Sequence, residues 1–240
     1  MTRILALQEA AANKPTTMPG PAPLTDLSPV VAHASRAGAL LPRLALVSLA
    51  AFVAITAVVH LLRPDLDLVR DQMSLYLIGP WGHLLQSGYC ILSLGMLALV
   101  FSVQGSLQPR ARSVMPPLLF CVAAVALCVT AYAWMDMPNV PVSLQGRVHG
   151  AAASTAFLAA ITGINWQVHG FLRDSRWRPH VVWALPWALG CFLALSLLGL
   201  CPQPMIGLGQ KSVIAVILGW LCLVSLLQLR MSQRPEALPT

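Results

Sequence analysis

Apolar residues are not spread evenly along the 240-residue chain but gather into six runs, at 40–62, 83–103, 114–135, 148–169, 180–200 and 211–229. Each is close to the roughly 20 residues that a helix needs to cross the hydrocarbon core of a bilayer. The connections between them are short, and only the first, 63–82, has room for an element of its own. Within it Leu66, Val69, Met73 and Leu77 recur at steps of three or four, with Asp67, Arg70, Asp71 and Ser74 between them. That periodicity predicts a short amphipathic helix, ended at Gly79-Pro80 because proline disfavours helical geometry in the residue before it. The expected fold is therefore all-α: a polytopic membrane protein, a six-transmembrane-helix bundle with a short amphipathic outer helix. Residues 1–38, proline-rich and lacking a long apolar run, read as a disordered tail; 39–230 form the membrane domain, and 231–240 a C-terminal tail.

Composition supports this reading. Charged residues make up 10% of the chain and hydrophobic ones 57%, with a mean hydropathy of +0.73. A soluble domain carries about 25% charged residues, so a soluble enzyme, a disordered chain and a secreted disulfide scaffold are excluded. The formal charge of +7 comes almost wholly from arginine, scattered between the apolar runs rather than clustered. That placement suits membrane topology and not nucleic acid. Eleven Lys and Arg fall at the two termini and the second and fourth connections, including Arg110, Arg112, Arg173, Arg176 and Arg178. Four fall on the other side: Arg63, Arg70, Arg147 and Lys211. This asymmetry predicts cytoplasmic termini in a bacterial inner membrane. The six cysteines lie mostly within apolar runs and read as small buried hydrophobes. Trp81, Trp134, Trp177 and Trp183 read as interfacial belts, and the small residues of 148–169 as a helix central to the bundle.

Polar chemistry gathers on the predicted outer side. Asp136 ends the third run and His149 opens the fourth, so a tight hairpin brings carboxylate and imidazole near each other. With Ser74 from the first connection they form a candidate nucleophile–base–orienter set. His60, Arg63, Asp67, Asp71, His83 and Arg147 are candidate binding residues around it. A metal held by His60, His83, His149 and Asp136 is a second possibility. The bland alternative is a structural polar layer that pairs helix ends and loops. No charged residue occupies the middle third of any run, which weakens a proton-coupled transporter.

Three segments, HLLRPDLDLVRDQMSLYLIGPWG (60–82), WMDMPNVPVSLQGRVHG (134–150) and GLGQKSVIAVILGW (207–220), together resemble the membrane family named domain of unknown function 998. The matching positions are Arg63, Pro64, Asp67, Ser74, Gly79, Pro80, Gly82, Asp136, Gly146 and His149. The chain departs from the family pattern at Gln210-Lys211, where an acidic–basic pair is expected. The resemblance implies a multi-pass membrane fold and brings no reaction with it. Taken together, the expected function is structural, or the binding of a lipid headgroup or membrane-protein partner at the outer face. A membrane-embedded hydrolase or transferase acting on a lipid is the alternative, and a small-solute transporter the third. The sequence names no cofactor.

Overall fold

The computed structural model describes residues 28–137 and 140–233, with side chains from Ala39 onward. The expectations for residues 1–27 and 234–240 fall outside the described residues. Six α-helices carry the fold: α1 (Ser28–Leu62), α2 (Gly82–Ser106), α3 (Met115–Tyr132), α4 (Leu144–Arg173), α5 (Val181–Leu198) and α6 (Ile206–Gln233). Short 3-10 turns at Met73–Leu77, Pro109–Ala111, Arg178–His180 and Gln203–Met205 lie in the connections. Helix α1 begins ten residues before the end of the expected tail.

The bundle belongs to the unit that starts at Ala37. Consecutive helices α2 to α6 pack on their neighbours, and α6 returns to α2, closing a ring. Helix α1 lies against α2, where Phe52 meets Tyr89 with ring centres 6.0 Å apart. Small residues allow that approach: a Cβ at Gly95 would stand 2.7 Å from Ser48 Cβ, inside van der Waals contact. The same device joins α3 and α4, where a Cβ at Gly163 would press on the Phe120 ring at 3.1 Å.

Five helical segments are long and apolar enough to cross a membrane: Ala39–Leu62, Gly82–Ser106, Met115–Tyr132, Arg178–Leu198 and Gln203–Gln233. Helix α4 is outside that set because it carries Asn165, Gln167 and His169 among its apolar residues. Its buried polar groups are directed at other helices. Asn165 donates to the carbonyl of Ala188 on α5 at 3.2 Å, and Gln167 accepts from the Trp220 indole on α6 at 3.1 Å.

Two expectations need correction. The first connection is not an amphipathic α-helix but a run of turns followed by the 3-10 turn Met73–Leu77. The Asp67 carboxylate accepts the backbone N–H groups of Val69 and Arg70, and Asp71 accepts that of Asp67. Short acidic side chains thus take the amides that a helix would have used. All five residues of the 3-10 turn are buried, Ser74 included, so no polar face remains. Trp177 is not part of an interfacial belt either: it is fully buried and stacks on Phe171 at 4.2 Å. Trp81 and Trp134 are exposed.

Candidate functional site

The acidic connections meet at one end of the bundle, and the three segments singled out in the sequence make three clasps there. The first is built on Arg63. Its guanidinium holds Asp65 at 2.8 Å, the one ion pair between described residues, and donates to the carbonyl of Ile78 at 2.7 Å. This ties the end of α1 to the turn before α2. Gly79 makes that turn with φ of 81°, and the guanidinium lies only 3.7 Å from where its Cβ would be. Trp81 follows at φ 67°, a left-handed conformation that costs energy for a bulky residue. A Cβ at Gly82 would collide with the carbonyl of Leu77, so both glycines of the Gly-Pro-Trp-Gly sequence are demanded by the turn itself.

The second clasp starts α4. Ser143 caps the helix by accepting the N–H of Gly146 at 3.0 Å. Asp136 then receives both the Ser143 hydroxyl at 2.6 Å and its N–H at 2.8 Å. These bonds hold the Asp136 carboxyl below the usual carboxylate range. A Cβ at Gly146 would clash with this carboxylate, which explains the glycine.

The third clasp fastens α6 to the first connection. Gln210 accepts the buried N–H of Met73 at 2.8 Å, and Lys211 donates to the carbonyls of Leu68 and Asp71 at 2.9 and 2.6 Å. Gly207 admits the chain at Asp71, where a Cβ would collide, and Leu208 N–H bonds to the carbonyl of Val69 at 2.8 Å. Gln210 and Lys211 thus work here as a neutral acceptor and a cation. Sequence reading named both residues, Gln210-Lys211 as a departure from the family pattern and Lys211 as a topological charge, but not their anchoring role; their partners are backbone groups, which leave no side-chain signature.

Among the described residues no hydrogen bond joins Ser74, Asp136 and His149. Asp136 is engaged by Ser143, and His149 Nδ1 lies 2.6 Å from the carbonyl of Ala133, which fixes the proton on that nitrogen. His83, Asp67 and Arg147 are exposed, and Arg147 pairs with no described carboxylate. The candidate metal set does not assemble: no three His, Cys, Asp or Glu among the described residues converge. His60 instead bonds through Nδ1 to the carbonyl of Thr56 at 2.7 Å and stacks on Tyr76 at 4.3 Å. His60 Nε2, Thr56 Oγ1 and Tyr76 Oη are buried with no partner among the described residues.

Ser74 has a different setting. It is among the residues lining a space of about 70 Å³ between the helices. The walls are apolar, from Phe52 on α1, Leu92 and Met96 on α2, Ala156 on α4 and Ile217 on α6. Ser74 and Gln210 provide polar groups, and no charged side chain lines the space. Ser74 is only 4% exposed, and its hydroxyl has no partner among the described residues.

An all-helical bundle with five long apolar segments, pinned at one end by backbone clasps, defines a multi-pass membrane protein. The chain matches the family described as Protein of unknown function (DUF998) over residues 27–227, and it belongs to that family. No curated protein and no solved structure matches the chain.

Proposed function

We propose that the protein binds a single-chain amphiphile within its helical bundle, the tail among α1, α2, α4 and α6 and the head at Ser74 and Gln210. The observation that carries this reading is the apolar space between the helices, with the uncharged polar side chains of Ser74 and Gln210 among its lining residues. Apolar walls favour a hydrocarbon tail, and uncharged hydrogen-bonding groups favour an uncharged head. The three clasps make the structural layer that holds this chamber shut at the acidic end.

In this reading α4 is the sixth crossing. Its 30 residues span about 45 Å, and its Asn165 and Gln167 side chains are bonded to α5 and α6. The arginine-rich termini and connections then face the cytoplasm of a bacterial inner membrane, and the acidic end faces outward. A hydrolase reading is supported by one fact: Ser74 and Ala153, which is one helical turn from His149, line the same space. It would need His149 and Asp136 to exchange their present backbone and Ser143 partners for one another.

Native mass spectrometry of the detergent-purified full chain, loaded with monoolein, tests the proposal. Wild type should retain one monoolein, and Ala156→Phe, which fills the chamber, should lose it. Equal retention by both would overturn the reading. Release of free oleate, abolished in Ser74→Ala, would favour the hydrolase.

A further inference from the structure

At the end of the bundle opposite the clasps, two connections are welded by one carboxylate. Asp174, fully buried, accepts the N–H of Gln108 at 2.7 Å through one oxygen. Through the other it accepts the N–H groups of Arg176 at 2.8 Å and Trp177 at 3.3 Å. Gln108 also donates to the Ser175 hydroxyl at 2.9 Å. Both carboxylate oxygens are thus engaged by backbone amides.

This leaves an unbalanced charge. Arg110, Arg173 and Arg178 line one depression of about 740 Å³, open to solvent, with Asp174 beneath them. None of these three guanidiniums has a hydrogen bond or ion pair with a described residue, and the ion pair Arg63–Asp65 lies at the other end. Arg112, by contrast, is engaged by the carbonyls of Leu107 and Gly105. The three come from the two connections that Asp174 joins, so the carboxylate fixes their spacing through backbone bonds, and three guanidiniums face one carboxylate.

We propose that this depression is a phosphate-binding seat, with an anionic phospholipid headgroup as its occupant. A guanidinium presents paired N–H donors that match phosphate oxygens. The seat lies where α4 and α5 end and begin, the level at which a crossing helix leaves the hydrocarbon. Basic pockets between helices at that level suit anionic headgroups.

The full chain in detergent should retain dioleoyl phosphatidylglycerol in preference to dioleoyl phosphatidylcholine in native mass spectra. The triple variant R110Q/R173Q/R178Q should weaken phosphatidylglycerol retention about tenfold. Arg70→Gln, which removes an exposed charge at the other end, should leave it unchanged. Inorganic phosphate bound alone, and lost in the triple variant, would uphold the seat and assign it to soluble phosphate. Wild-type retention by the triple variant, or equal retention of the two lipids by wild type, would overturn the proposal. If the triple variant fails to express, wild type decides: the preference must shrink as salt rises from about 50 to 500 mM, and indifference to salt would overturn it.

Discussion

Lys211 donates to the backbone carbonyl of Asp71 at 2.6 Å, across 140 residues of chain. The cation anchors the start of α6 to the first connection through main-chain oxygen, and the same ammonium sits 5.3 Å from the centre of the Tyr76 ring. Sequence alone offered Lys211 as a topological charge; its position makes it a structural bolt.

Lys211→Met keeps the apolar stem and removes the donors, leaving the carbonyls of Leu68 and Asp71 without them. Thermal denaturation in detergent should show a loss of about 1–3 kcal/mol. An unchanged midpoint would show that the third clasp contributes nothing to stability.

The second clasp has a pH signature. Ser143 depresses the Asp136 pKa in the folded protein, so the stabilisation is fully present above the unfolded value. It is lost as pH falls through the lower, folded value. Wild type should therefore lose part of its stability relative to Asp136→Asn on acidification below the usual carboxylate range. Parallel acid-denaturation curves for the two proteins would contradict the clasp.

Capping gives a third test at the same place. Ser143→Ala removes the α4 cap and one Asp136 partner and should cost about 1 kcal/mol. Gly146→Ala should be worse, since its Cβ clashes with the Asp136 carboxylate. Equal stabilities for wild type and Gly146→Ala would mean that the carboxylate lies elsewhere.

These clasps show where sequence reading succeeds and where it stops. Apolar runs of about membrane length located all six helices, because burial in lipid or protein demands long uninterrupted apolar segments. The same logic failed at 63–82, where the spacing of Leu66, Val69, Met73 and Leu77 suits a helix but the Asp67 carboxylate captures two backbone amides. The clustering of Asp136 and His149 on one side of the membrane domain was legible from hairpin topology. Their partners were not, because Ser143 N–H and the Ala133 carbonyl are backbone groups common to every residue. Trp177 was misread for a related reason: an aromatic beside arginines fits an interface equally well, until Phe171 stacks on it. The chamber at Ser74 depends on five helices at once and has no linear pattern.

The topology is checked by reporter fusions after residues 70, 108, 142, 175 and 205. They should alternate outside, inside, outside, inside, outside, as the arginine asymmetry requires. Reporters at 142 and 175 on the same side would show that α4 does not cross.

The most direct measurement of the central proposal is a density map of the full chain reconstituted in lipid nanodiscs. The account predicts elongated density between Phe52, Ala156 and Ile217, ending within hydrogen-bond distance of the Ser74 hydroxyl. A chamber collapsed on its own side chains, or Ser74 bonded to His149 with no ligand density beside it, would contradict it.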